Sequence, residues 1–391
     1  MAIGQDRIGV SGPKRWRIIT GEYPPQPGGV SDYTRLVACG LAAAGDDVEI
    51  FAPQCSDHEA GDPGVTIHRL PGHFGPRAIA ALARALRRGD QARLLVQYVP
   101  HAFGLRAMNL PFCAWLYAHA RRIGGADVMF HEVNFPFRPG HPARYRILAA
   151  ATSAMAMMVA RAARRTFVAT PSWEPRLRRY LGPSTPISWL PVPSNIAPIG
   201  DRDRVIAARR RYAPNGELVI GHFGTYPANV AAMLTTLLPP ILAARGDSTM
   251  LLMGTNSESW RGALIREYPG LAPRVVATGT LAADELSLAL SSCDVMAQPF
   301  PDGITTRRGS IMAALAHGSA IVATAGELTE PLWAESGAIA LAAVGDHQAF
   351  VTAVIDLMGD DARRLRHACA AHALYAERFA LRHTIEALRA G

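Results

Sequence analysis

Short continuous apolar runs alternate with amphipathic stretches along almost the whole chain. The first run is 16–20, followed by a glycine-rich loop and a helical pattern over 31–44 that Gly45 stops. Residues 48–52, 65–70, 94–99 and 128–131 read as further strands. A long helix is predicted over 142–164, then a strand over 166–170 and a helix over 172–181. Strands that are apolar throughout, rather than at every second position, mark a parallel sheet covered on both faces. Residues 187–198 break the pattern with three prolines and no helical period, as a linker would. The alternation then restarts. Strands are predicted at 218–223, 249–253, 274–277, 295–298 and 320–323. Helices are predicted at 229–244, 258–268, 284–292 and 306–317, with more near 347–358, 361–378 and 381–389. The expectation is an α/β chain of two doubly wound domains, 1–190 and 213–378, joined by a linker region at 191–212. Ligands of such sheets bind outside the carboxyl ends of strands, and a cleft between two facing domains is the default site.

Composition narrows the chemistry. Hydrophobic residues make up 49% of the 391, enough for two folded cores. The net charge is +8, and Lys14 is the only lysine, so the basic charge is almost all arginine. Arginine stays charged and grips phosphate with two parallel N–H groups, although a GC-rich genome would produce the same excess. The missing lysines exclude a P-loop and a Schiff-base lysine in the C-terminal half. The five cysteines are scattered with no C-x-x-C, which argues for reduced thiols, a cytoplasmic setting and no zinc knuckle. No apolar signal segment is read in residues 1–12. Residues 147–163 are the longest apolar candidate and read as a buried helix rather than a membrane span. Residues 77–93 form a basic amphipathic pattern: a surface helix with a solvated basic face, or a peripheral contact at the inner face of a membrane. Arginines are spread along the chain without aromatic interleaving, so nucleic acid is not the expected partner.

Four strand-end loops carry groups suited to chemistry. In the loop 21–33, Gly28 and Gly29 permit close backbone approach just ahead of a helix N-terminus, which is how anions are bound; Ser31 or Asp32 serves equally as an ordinary N-cap. His131-Glu132-Val133-Asn134 follows a strand, and with no second histidine four residues on it is no zinc motif. A lone histidine is more often structural than reactive. In the loop 221–229, Gly224 and Thr225 can present N–H groups to phosphate. The fourth loop runs from Asp302 through Thr305, Thr306, Arg307, Arg308, Gly309 and Ser310 into an apolar helix. Two arginines at a helix start oppose the helix dipole unless an anion lies between them. That anion is either a bound phosphate or a neighbouring acid such as Asp302.

Three motifs carry a resemblance. They are Glu22-Tyr23-Pro24-Pro25 followed by Gly28-Gly29-Val30, the segment Leu190-Pro191-Val192-Pro193-Ser194-Asn195-Ile196, and Ala316-His317-Gly318-Ser319-Ala320-Ile321-Val322-Ala323. With these, in this order over essentially the whole chain, the protein resembles the GT-B-fold glycosyltransferases, specifically the retaining glycosyltransferase family four. The resemblance implies two Rossmann-like domains facing across a cleft, with the last helix (379–391) returning to the N-terminal domain. It implies a nucleotide-diphosphate sugar, UDP- or GDP-linked, held mainly by the C-terminal domain. The acceptor, a glycan, glycolipid or small metabolite, would lie on the N-terminal domain. It implies no metal and no separate cofactor. The leaving phosphate would help deprotonate the acceptor, so catalysis is positioning and charge stabilisation.

The resemblance also distributes roles. His131 matches a histidine that contacts the donor sugar or orients the acceptor. Glu22, Tyr23, Asp32 and Asn134 fall on the acceptor side. Gly28, Gly29, Gly224 and Thr225 fall near the diphosphate, and Gly254, Thr255, Thr278, Gly279 and Ser310 near the nucleotide. The family's paired glutamates, eight residues apart, are replaced here by Thr305 and Ala313, and its arginine and lysine are missing from 222–229. Asp302 is then the nearest acid to contact the sugar, and Arg307, Arg308 and Gly309 are the replacement diphosphate ligands. Two other readings compete: a catalytically degenerate GT-B protein that binds a nucleotide or partner, and a sugar-nucleotide epimerase.

Overall fold

The computed structural model describes residues 12–55, 61–86, 92–137, 139–140 and 142–390. The chain divides into two compact units, Met1–Pro191 with Leu381–Gly391, and Val192–Ala380. Each unit is a Rossmann-like layered domain on one parallel sheet.

The first sheet contains β1 (Arg15–Thr20), β2 (Asp47–Pro53), β3 (Val65–Leu70), β4 (Arg93–Tyr98), β5 (Ala126–Phe130), β6 (Ala163–Val168) and β7 (Ile187–Trp189). Their order is β3-β2-β1-β4-β5-β6-β7. β1, β4 and β5 are buried almost end to end, as their unbroken apolar runs predict. The order reverses between β1 and β4, so a crevice opens outside their carboxyl ends. β7 lies inside the proline-rich stretch expected as linker and pairs with β6. A further helix, Leu110–Arg122, has Pro111 in its first turn, and the side chain of Asn109 caps it by accepting from Phe112 N.

The basic helix Pro76–Ala85 does not keep an apolar side for a membrane. Ala78, Leu82 and Leu86 are buried in the core and Ile79 packs against it. This corrects the expected membrane contact over 77–93 as far as its apolar face is concerned; residues 87–91 lie outside the described residues. Among the described residues no helix is long and apolar enough to cross a membrane.

The second sheet contains β8 (Leu218–Phe223), β9 (Ser248–Met253), β10 (Val275–Ala277), β11 (Val295–Gln298), β12 (Ala320–Ala325) and β13 (Ile339–Ala343), in the order β10-β9-β8-β11-β12-β13. Here the reversal falls between β8 and β11. Residues 192–212 belong to this unit rather than to a free linker. They include the helix Arg202–Tyr212, capped by Asp201, and Arg209 Nη2 holds Asp294 at 2.7 Å.

The helix Leu381–Arg389 is part of the first unit. Ile385 and Leu388 are buried, and Ile385 sits where a side chain on Gly40 would be. Its C-terminal carbonyls meet cations: Arg93 Nη1 donates to Leu388 O (3.2 Å), Arg165 Nη2 to Leu388 O (2.8 Å), and Lys14 Nζ to Arg389 O. Positive charge at this end complements the helix dipole.

Candidate active site

In the second unit the reversal between β8 and β11 gathers most of the predicted donor residues. Three glycine turns stand side by side at the ends of β8, β9 and β10. Gly224 N donates to Met253 O at 3.1 Å, and Gly254 N to Gly279 O at 3.1 Å. The fit is close at Gly254, where φ is +106° and an added Cβ would lie 2.2 Å from Gly224 O, so only glycine is tolerated. Thr255 Oγ1 lies 3.1 Å from Thr280 Oγ1, and Thr278 Oγ1 donates to Gly279 O at 2.9 Å. Gly224, Thr225, Gly254, Thr255, Thr278 and Gly279 therefore share one rim of one sheet. The helix after Gly224 and Thr225, Ala228–Ala244, starts without a side-chain cap.

His222, unremarked in the sequence, stitches this reversal. Its Nδ1–H donates to Ala297 O of β11 at 2.9 Å, which leaves Nε2 a bare acceptor. Burial pushes its pKa down to about 4, so the ring is neutral at pH 7.

The Asp302 loop leaves β11 on the other side of the same reversal. Arg307 Nη2 meets Asp302 Oδ2 at 3.0 Å, and Arg308 Nη2 meets Asp302 Oδ1. One carboxylate thus takes both guanidinium groups, each about a quarter exposed or less. Asp302 is committed to the arginines rather than open to a sugar, and the arginines are not open for phosphate while it stays. Of the two anions the sequence allows between the arginines, the one found is the neighbouring acid. Arg308 also lies over the Phe300 ring, 4.3 Å from its centroid. Burial pushes its pKa down to about 10 against the opposing pull of Asp302, so it remains charged. The helix begins only at Gly309, with Arg308 as N-cap and Ser310 in the first turn. Thr305 and Ala313, which the resemblance sets where the family has glutamates, are fully buried.

The loop is bolted to the one that follows β12. Ile304 N donates to Thr324 O (2.8 Å) and Leu328 N to Asp302 O (3.1 Å). Gly303, at φ +89°, would push a Cβ to 2.2 Å from Thr329 Oγ1, so the two loops pack with no space for a side chain there.

The first unit places its predicted residues differently from expectation. Glu22, assigned to the acceptor side, turns back onto the helix Gly29–Ala43, and its Oε1 accepts from Val30 N and Ser31 N, both at 3.0 Å. Gly28 gives it room, since an added Cβ would lie 2.3 Å from Glu22 Oε1. The anion site expected at Gly28 and Gly29 therefore holds a carboxylate of the chain itself. Tyr23 is fully buried, and its hydroxyl donates to Asp62 at 2.7 Å, so it cannot face an acceptor. Asp32 is exposed in the first helical turn, where acid suits the dipole. Asn134 ties its loop to the helix Ala143–Ala162 through Ser153 Oγ at 2.9 Å.

His131 stands at the end of β5, next to β4. Its Nε2 lies 2.9 Å from Gln97 Oε1, so the ring donates from Nε2. The Tyr33 ring meets it edge-on, and Trp173 Nε1 donates to its carbonyl at 2.8 Å. Burial lowers its pKa to about 4, so it is a neutral, fixed imidazole and a poor proton carrier at pH 7.

Sequence reasoning missed His222, the capping role of Glu22, and Glu330. Glu330 is a buried acid whose oxygens accept from Thr306 and Trp333. His222 and Glu330 act through partners that strand order brings to them, and Glu22 through the fold of its own loop.

Comparison with known proteins agrees with this architecture. The Glycosyl transferase 4-like domain family matches residues 28–193, and the Glycosyl transferases group 1 family matches residues 217–360. No curated protein matches in sequence. Among solved structures, HepE from Anabaena in complex with UDP shares 15% identity at a TM-score of 0.67, covering 96% of this chain and 98% of that one. WaaG, a glycosyltransferase involved in lipopolysaccharide biosynthesis, shares 14% at 0.65, covering 96% and 100%. Sucrose-phosphate synthase from Thermosynechococcus elongatus shares 15% at 0.70, covering 96% and 97%. With both halves matched and the two-sheet architecture in place, the chain belongs to the family-four-like glycosyltransferases of the GT-B fold.

Proposed function

We propose that the protein transfers a sugar, with retention, from a nucleoside-diphosphate sugar to an acceptor hydroxyl. The observation that carries this reading is the pair Arg307 and Arg308 closed on one carboxylate, beside the reversal where this fold binds ligands. Two guanidinium forks meeting one anion suit a diphosphate at least as well as they suit Asp302. On donor binding the diphosphate takes the place of the Asp302 carboxylate. The glycine rim at Gly224, Gly254 and Gly279 takes the nucleotide. A uridine donor is favoured because HepE has been solved with UDP and with UDP-glucose.

In the transfer, the bond from the sugar anomeric carbon to the diphosphate oxygen breaks and a bond to the acceptor oxygen forms. The acceptor proton passes to the departing diphosphate. The arginines stabilise the charge that collects on that group, and His131 orients a reactant as a fixed hydrogen-bonding ring. For the acceptor, a glycolipid is favoured over a soluble metabolite. Phe137 and Ile147 are exposed near the start of the helix Ala143–Ala162, and Arg144 and Arg146 stack on Tyr145 and Phe137. This apolar, basic surface suits an anionic lipid interface at the cytoplasmic face of a membrane.

Thermal shift with UDP, GDP, ADP and dTDP tests the donor. A ligand at a hundred times its Kd stabilises by about 2.7 kcal/mol. A shift is expected with at least one, and Arg307→Ala and Arg308→Ala should each reduce it. His131→Ala should lose turnover while keeping the shift. No shift with any nucleotide sinks the donor assignment.

A further inference from the structure

The backbone that aims Arg307 and Arg308 is held by a carboxylate outside the ion pair. Glu330 is 4% exposed. Its Oε1 accepts from Thr306 N (3.0 Å) and Thr306 Oγ1 (2.7 Å), and its Oε2 accepts from Trp333 Nε1 (2.7 Å). A buried acid is tolerated only when such donors converge on it. Thr306 is the residue immediately before the arginines. Its own carbonyl accepts from Val192 N at 3.1 Å, so the peptides on both sides of its Cα are pinned. Trp333 is fully buried against Phe379.

We infer that Glu330 is a positioning residue for the donor: by fixing the Thr306 peptide it sets where the two guanidinium groups point, whether Asp302 or a diphosphate lies between them. The inference rests on the reading of Arg307 and Arg308 as diphosphate ligands. It differs from a purely structural role in a definite way. A structural acid loses about the same from either of its ends. A positioning acid loses function only from the end that faces Thr306.

The substitutions follow from the geometry. Glu330→Met keeps the length but removes both accepting oxygens, the one that holds Thr306 included. Thr306→Val removes the hydroxyl bond, and Thr306→Ser keeps it. Trp333→Phe removes only the bond at the far end. The full-length protein is titrated with inorganic pyrophosphate and with UDP by calorimetry, and each variant is melted in parallel. Wild type and Thr306→Ser should bind alike, and Trp333→Phe should bind within about twofold of wild type even though it melts lower. Glu330→Met and Thr306→Val should bind roughly tenfold more weakly, and in turnover they should raise KM for the donor but not for the acceptor.

If Thr306→Val and a folded Glu330→Met bind like wild type, the inference is overturned. It is overturned too if Trp333→Phe loses as much affinity as they do. Should Glu330→Met fail to fold, Thr306→Val against Thr306→Ser decides. Arg307→Ala and Arg308→Ala run alongside. If those two bind pyrophosphate and UDP as wild type does, it is the arginine assignment that fails. If they lose binding and the Thr306 and Glu330 variants do not, only the positioning role fails.

Discussion

His131 and His222 show how far a single side chain can be read. Both sit at strand ends, where chemistry is plausible, yet each ring is buried and donates to one fixed acceptor, Gln97 Oε1 or Ala297 O. Desolvation lowers both from the ordinary 6.5 to about 4. Because the folded values lie below the unfolded one, the unfolded chain binds more protons in acid. The stabilisation is complete above about pH 6.5 and is lost as pH falls through that value toward 4. At pH 5 each histidine should lower stability by about 2 kcal/mol relative to pH 7. Urea melts at the two pH values should show this, and His222→Asn should reduce the difference by roughly half. At this scale the sequence exposed the right positions but not their states. His131 was visible as a strand-end residue; its neutrality depends on the ring of Tyr33 and the burial of the β4 end, which are long-range facts.

Among the elements, the strands were the most legible, because a short unbroken apolar run between turn residues suits a doubly covered parallel strand and little else. β3 coincides with its expected span, and β1, β2 and β4 differ from theirs by a residue or two. The losses have physical causes. β7 has three residues next to prolines and exists because β6 offers it a ladder. The helix Leu110–Arg122 is amphipathic only once its neighbours are known. The C-terminal helix shows what tertiary context adds. Asp127, buried in β5, accepts from both Arg164 and Arg165, and Arg165 also donates to Ala387 O and Leu388 O. One guanidinium therefore serves a buried acid and a helix end together. Arg165→Ala should destabilise by about 2 kcal/mol, the range for hydrogen bonds to a charged group. Chemical denaturation should detect it without a change in nucleotide affinity, since Arg165 belongs to the first unit.

For the whole molecule, the alternation of strand and helix, restarting after 198, was enough to expect two α/β domains. The family motifs were enough to name the fold. What neither supplied was the carboxylate that fills the Gly28 and Gly29 turn, or the one that holds Thr306. Glu22 lies eight residues before Val30, and Glu330 lies 24 after Thr306; no spacing rule connects either pair. The last helix makes a prediction at this scale. Ending the chain after Ala380 removes the cover from Gly40 and the carbonyls from Arg93 and Arg165. By hydrogen exchange the amides of β1 and β4 should lose protection while those of β8 to β13 keep theirs. Uniform loss over both sheets would show that the helix supports the chain in some other way.

The carboxylate of Asp302 has a consequence for the anion affinity proposed for Arg307 and Arg308. A guanidinium pair that already holds an acid does not gain a phosphate; it trades one anion for another. The constant read in solution is then the ratio of two occupancies, scaled by the fraction of molecules in which the chain's own acid has let go. Under the role proposed for Arg307 and Arg308, the chain is its own competitor at fixed effective concentration, and a ligand must displace a tethered carboxylate by greater charge and reach.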